Sequence, residues 1–230
     1  MTYVGTELEL FARARRWKAY LRDRLAPYVA GDVLEVGCGL GANAAAFAGL
    51  DFASWTGLEP DARLLAKASS PDPRFRFRTG TLGDLDPGAR FDAILYIDVL
   101  EHIADDAGEA ASAAARLRPG GRLIVLAPAH GWLYSPFDRA IGHHRRYTKE
   151  SLSRAVPVGL ARLELSYLDS VGLLASLANR LFLRQSSPTA SQIGVWDSVI
   201  VPLSRVVDPL TGFRAGKSVL GVWAQRPQTS

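Results

Sequence analysis

"VLEVGCGLG" (33–41) sets three glycines within five positions, directly behind an apolar run that carries one acid, Glu35. A short apolar run closing on glycine reads as a strand buried on both faces that turns into a helix. Glycines at such a turn let a ligand lie against the backbone where a Cβ would collide, and the next helix points free N–H groups at it. The spacing separates ligand classes: a dinucleotide fingerprint is G-x-G-x-x-G, whereas Gly37, Gly39 and Gly41 give G-x-G-x-G with Ala42 in the third place. Glu35 discriminates too. Toward the end of the strand it either accepts hydrogen bonds from the loop or faces a cationic ligand, a sulfonium or ammonium group, and it repels a pyrophosphate.

Working outward, "SWTGLEP" (54–60), "RFRFRTG" (74–80), "FDAILYID" (91–98) and "GRLIVLAP" (121–128) read as further strands. Alanine-rich stretches at 42–49, 61–68 and 106–117 read as the helices between them, the last halted by "RPGG". Strands alternating with helices imply a doubly wound α/β sheet whose ligands sit at the carboxyl ends of the strands. "KESLSRAV" continues as helix after residue 148, "ARLELSYLD" (161–169) as strand, and "KSVLGVWAQR" (217–226) as the final strand. Residues 170–216 are too apolar for a linker and too long for a hairpin loop, and read as a helical insertion. Ahead of the first strand, residues 7–29 space Leu8, Phe11, Trp17, Tyr20, Leu21 and Leu25 as one amphipathic helix, which closes over the ligand as a lid or packs as ordinary core.

The 230 residues, 48% hydrophobic, suit one domain: a helical lid over 1–30, a core over 31–169, the insertion over 170–216 and the final strand over 217–226. A net charge of +4 permits nucleic acid without demanding it, and no stripe of cations interleaved with stacking aromatics argues for it. The single cysteine, Cys38, cannot form an internal disulfide. The N-terminus lacks the apolar core of a signal peptide and no stretch is long and apolar enough for a membrane span, so a cytoplasmic protein is expected.

Five motifs in order carry a family resemblance over residues 33–128. "VLEVGCGLG" resembles the first motif of class I S-adenosylmethionine-dependent methyltransferases, and "GLEPD" (57–61) resembles their second-strand motif. "TGTLGDL" (79–85) resembles the adenine loop, "FDAILYIDVLEHI" (91–103) the fourth strand with its active-site extension, and "LRPGGRLIVLAP" (117–128) the helix-turn-strand that follows. The resemblance implies a Rossmann-like seven-stranded sheet of order 3-2-1-4-5-7-6 with the last strand antiparallel. It implies S-adenosylmethionine contact along Glu35, Gly37, Cys38, Gly39 and Gly41, through Glu59 and Pro60 to the ribose, through Thr81 and Leu82 to adenine, and at Ile97 and Asp98. Where many relatives carry aspartate in the third loop this chain has Thr81.

The acceptor is less legible. All four histidines, His102, His130, His143 and His144, fall after the fourth strand. A hydroxyl acceptor needs a base near pH 7, which makes His143 or His144, and then His102, the candidates, with Arg145, Arg146 and Tyr147 as groups that hold an anionic part of a small, apolar or aromatic acceptor. Asp98, Glu101 and His102 form D-x-x-E-H, similar to the E-x-x-E-H metal motif of some O-methyltransferases; a loop brace without metal is the favoured reading. In the insertion, Leu173, Leu174, Leu177, Leu181 and Phe182 offer a greasy wall to the acceptor, a dimer interface, or a membrane contact with Arg180 and Arg184 at headgroups. The rival functions are a nicotinamide-dependent oxidoreductase on a similar sheet and a cofactor-binding module without catalysis.

Overall fold

The computed structural model describes residues 7–178 and 189–226. The chain opens with two helices where one is expected, α1 (Glu7–Ala12) and α2 (Arg15–Leu25). The break stands because other groups satisfy the backbone there. Lys18 Nζ donates to the carbonyls of Phe11 (2.7 Å) and Ala12 (3.0 Å), closing α1. The Asp197 carboxylate accepts from the N–H groups of Arg16 (3.2 Å) and Trp17 (2.9 Å), capping α2 from the far end of the chain.

The apolar runs form strands β1 (Asp32–Val36), β2 (Ser54–Glu59), β3 (Phe75–Thr79), β4 (Phe91–Ile97), β5 (Leu117–Pro128), β6 (Ala161–Leu168) and β7 (Ser218–Ala224). They make one seven-stranded sheet of order β3-β2-β1-β4-β5-β7-β6, with β7 antiparallel to both neighbours, as the resemblance implies. The order reverses between β1 and β4, which pair in parallel, and this opens the crevice where ligands of such sheets sit. Because β7 runs backwards, its first residues lie at the same edge as the carboxyl ends of the other strands. One expectation shifts: "RPGG" is no separate turn but an irregularity inside β5, whose register against β4 slips between Phe91 and Ala93.

Connecting helices are α3 (Ala44–Phe47), α4 (Ala62–Leu65), α5 (Asp106–Ala114), α6 (Pro136–Ala140) and α7 (Lys149–Ala155). The described part of the insertion holds α8 (Ser170–Ala178), α9 (Ala190–Val195), a π turn (Trp196–Ile200) and α10 (Val201–Leu210). Alternate strand residues feed two cores, one on each sheet face. Leu34, Ile94, Tyr96 and Val125 pack with α5 and α7; Val33, Trp55, Leu95 and Ile124 pack with α2 and α3. Each such side chain, taken fully out of water, contributes on the order of 2–3 kcal/mol. Among the described residues no helix is long and apolar enough to cross a membrane.

Candidate active site

A cavity of about 1480 Å³ runs along the edge formed by the strand ends, roofed by α1, α2, α8, α9 and the π turn. Drug-sized pockets span about 300–1,000 Å³, so this one has room for a cofactor and a second molecule.

At one end lies the glycine turn. Gly37, Cys38 and Gly39 line the cavity; Gly39 sits at φ +55°, and a Cβ there would point into open space whose nearest atom, Leu8 Cδ2, is 4.0 Å away. Gly41 differs from expectation. It does not line the cavity, and a Cβ on it would strike Phe77 at 2.9 Å and Ala68 at 3.0 Å, so its role is close packing against β3, while Ala42 and Asn43 take its place on the wall. Glu35 also departs: both oxygens are committed inward, accepting from Asn43 Nδ2 (2.6 Å) and Trp55 Nε1 (3.0 Å), and it reaches the cavity only through Asn43. Burial pushes its carboxyl up to about 7, against the hydrogen bonds of Asn43 and Trp55 and the charge of Lys18. Burial, with the Glu35 and Glu59 charges, keeps the Cys38 thiol protonated, so it serves as a small residue in the turn.

Glu59, at the end of β2, is buried on the cavity wall with Pro60. Its oxygens accept from Gly39 N–H (2.9 Å) and Asp61 N–H (3.0 Å), which ties the glycine turn to the second strand and leaves further lone pairs for a ligand's hydroxyls. Thr81 lines the wall, but its hydroxyl donates to Asp84 Oδ2 (2.8 Å). Leu82 buries its side chain in the core, so only its backbone is left for the adenine contact expected of it, and Thr81 and Gly80 line the wall. Of the two N-terminal helices, Leu8, Phe11, Trp17 and Lys18 line the cavity, whereas Tyr20 turns away to donate to Asp208 Oδ2 (2.7 Å).

At the other end, Ile97 and Asp98 follow β4, with Asp98 at φ +54° on the cavity wall. Burial raises its carboxyl, and the charges of His143, Lys217 and Arg146 oppose that rise. Glu101, His102 and His143 converge here, each offering a ligand atom within 4.8 Å of the others. Glu101 is fully buried, with no hydrogen-bond partner on either oxygen among the described residues; His143 Nε2 lies 3.7 Å from its Oε1, and burial raises its carboxyl well above the usual range. Burial also lowers His102 to about 4, so its imidazole is neutral near pH 7.

His143 Nδ1 sits 2.9 Å from Asp138 Oδ1. Burial would raise Asp138, but hydrogen bonds from His143, Arg146 and Ser135 outweigh it and hold the group ionised. Arg146 grips the same carboxylate (2.8 and 3.1 Å) and lines the cavity. Sequence reasoning misses Asp138; the available signal is S-x-x-D in "SPFD", a capping box at the start of α6. It also misses Lys18 and Lys217. Lys217 immediately precedes the antiparallel β7, which places it at the ligand edge.

Three expectations fail on position. His144 is exposed, and its backbone N–H donates to Glu101 O (2.8 Å). Arg145 points out of the cavity to Asp106 (2.5 Å) and Ala104 O (2.6 Å). Tyr147 is buried in the core, donating to Asp106 Oδ2 (2.7 Å). In the insertion, Gly172, Ala175, Ile193, Trp196 and Ile200 form the wall in place of Leu173, Leu174 and Leu177, of which Leu174 is exposed. Arg180, Leu181, Phe182 and Arg184 lie outside the described residues.

A family profile described as a methyltransferase domain matches residues 9–157, which include the glycine turn, Glu59 and the Glu101–His143 cluster. The chain belongs to the class I S-adenosylmethionine-dependent methyltransferases. It is 33% identical over 159 residues to a demethylmenaquinone methyltransferase of Tropheryma whipplei, covering 67% of this chain and 65% of the relative. Over 104 residues it is 32% identical to a ubiquinone biosynthesis O-methyltransferase of a Bradyrhizobium, covering 44% of this chain and 41% of the relative. The matches thus span less than two thirds of those relatives' own lengths. Among solved structures, a geranyl diphosphate methyltransferase in complex with S-adenosylmethionine superposes with a TM-score of 0.64 over 96% of this chain and 91% of its own, at 15% identity, a likeness of fold.

Proposed function

We propose that this chain methylates a hydroxyl group of a small apolar or aromatic acceptor, with His143 as the base. The observation that carries the reading is the Asp138–His143 pair: an ionised carboxylate fixes one ring nitrogen of a histidine that lines the cavity, which leaves the other nitrogen as the proton acceptor. The names of the relatives, a ubiquinone biosynthesis O-methyltransferase and a demethylmenaquinone methyltransferase, support a quinone-like acceptor, and the first supports oxygen as the methylated atom.

S-Adenosylmethionine, when bound, supplies a methyl group on a positively charged sulfur. Glu59 accepts from the ribose hydroxyls, the bare backbone at Gly39 admits the amino-acid portion, and Gly80 and Thr81 border the adenine. Phe11, Trp17 and Trp196 exclude water from above, which matters because alignment and desolvation carry most of such a transfer. His143 Nε2 takes the acceptor proton, and Arg146 holds Asp138 in place.

A second reading rests on Glu101. A buried carboxylate without hydrogen bonds, facing two imidazoles, fits a divalent cation held by Glu101, His102 and His143, with Asp138 behind His143 as the outer carboxylate. The cation would make a coordinated hydroxyl more acidic, and His143 would then be a ligand and not the base. One experiment separates the two. Turnover of labelled S-adenosylmethionine with catechols and hydroquinones is expected to survive exhaustive chelation under the first reading and to vanish, returning with added magnesium or zinc, under the second. No turnover of any hydroxylated acceptor, with or without metal, would overturn both.

A further inference from the structure

The helix that runs from α9 through α10 is built inside out. Ser204 and Asp208 are 0% exposed: Ser204 Oγ donates to Asp169 Oδ1 (2.7 Å), and Asp208 accepts from Tyr20 Oη (2.7 Å) and from the N–H groups of Asp169 (2.8 Å) and Ser170 (2.9 Å). Val195, Val199, Leu203, Val206 and Leu210 are instead 50–81% exposed. Within α10, at 3.6 residues per turn, Leu203, Val206 and Leu210 fall within about 60° of one another on the side away from Ser204 and Asp208, and Val195 and Val199 precede them across the π turn. Single exposed apolar side chains are ordinary, but an unbroken line of them on the face that should be polar marks a contact surface.

Two features say what the surface fits. The first is charge. Within α9, the π turn and α10 the charged residues are Asp197, Arg205 and Asp208. Both acids turn inward, Asp197 to the start of α2 and Asp208 to Tyr20, while Arg205 is paired with Asp23 of α2 (2.6 Å). The neighbouring start of α2 adds exposed Arg13, Arg15 and Arg16, the last donating to Ser198 O (2.8 Å) beside the stripe. The stripe itself is free of charge, and its rim is basic. A second copy docking by two-fold symmetry would bring like rims together, whereas an anionic surface answers the whole pattern. The second feature is position: Val195 belongs both to the stripe and to the cavity wall, and Ile193, Trp196 and Ile200 of the same helix line that cavity.

We propose that this face docks on an anionic lipid surface, with the stripe at the acyl boundary and the arginines among the phosphates, so that the cavity mouth opens toward the membrane. The inference stands apart from the acceptor chemistry, because its test needs no turnover.

The test is flotation of the full chain with phosphatidylcholine vesicles, with and without phosphatidylglycerol. The wild type is expected to float with the anionic vesicles and about tenfold less with the neutral ones. Leu203→Glu with Val206→Glu should cut anionic-vesicle binding at least about tenfold while the melting temperature and S-adenosylhomocysteine binding stay at wild-type values. Arg13→Gln with Arg15→Gln, which leaves the stripe intact, should lower only the anionic component. The proposal is overturned by a wild type that floats with neither vesicle or with both equally, or by paired glutamates that leave flotation unchanged. It is also overturned by a wild-type dimer that the glutamates convert to monomer, which would assign the face to a second copy.

Discussion

The two ends of the cavity are built on opposite principles. At the glycine end the polar groups answer one another: Glu59 holds Gly39 and Asp61, Glu35 holds Asn43 and Trp55, and Asp84 holds Thr81. Around β4 and α6, Glu101 has no hydrogen bond on either carboxylate oxygen among the described residues, and Asp98 holds a left-handed backbone on the cavity wall. A ligand that is always the same can be met by a finished, self-satisfied frame. Groups left with unspent bonding capacity belong where the partner must complete the site.

The sharpest way to break this comparison is a pair of substitutions, one at each end. His143→Asn is expected to lower kcat by about 10²–10⁴ while S-adenosylhomocysteine affinity changes less than about twofold. Glu59→Ala should do the reverse, weakening S-adenosylhomocysteine by roughly 10–100-fold through loss of hydrogen bonds to both ribose and loop. Calorimetry and steady-state kinetics on both variants would show whether the two ends are separable; matching losses in both parameters would mean they are not.

A smaller effect tests the frame itself. The Glu35 carboxyl is pushed from its ordinary 4.5 up to about 7 by burial, so the folded state keeps a proton that the unfolded chain releases. Stability is therefore complete below about pH 4.5, falls by up to about 3 kcal/mol as pH rises toward 7, and is level above that. Glu35→Gln should flatten the slope between pH 4.5 and 7 in thermal melts, with a constant offset of about 1–2 kcal/mol for the hydrogen bond glutamine cannot accept. An unchanged slope would show that Glu35 is ionised in the fold. The smallest effect is expected at Arg145. Its partner is Asp106, outside the cavity, so Arg145→Gln should alter turnover less than about twofold and cost about 1 kcal/mol or less in stability.

The same contrast explains how much the amino-acid sequence discloses by itself. The strands and the glycine turn are legible because their signals are local: apolar runs, a glycine spacing, an acid some twenty residues on; the order of the sheet is legible only through the family resemblance. The parts of the acceptor end that matter come from far apart. His102 and His143 meet with ring centroids 4.5 Å apart, and Asp138 joins them only because the short helix α6 turns the chain back. In "HHRRY" adjacent residues of like chemistry part company: His143 and Arg146 line the cavity while His144, Arg145 and Tyr147 lie outside it. Composition cannot make that choice; the path of the backbone does. Gly41 and Glu35 depart from expectation for a related reason, since a motif shows which residues recur together but not which of them serve the ligand and which serve the loop.

The cap on α2 has a further consequence. Its donors at Arg16 and Trp17 wait for Asp197, 180 residues beyond Trp17 in the chain, and Tyr20 waits for Asp208. During synthesis α2 can be finished only after the much later Asp197 has emerged. The strands and the glycine turn can thus form while the roof is still open, and the cavity stays uncovered until the segments on either side of the sheet clasp over it.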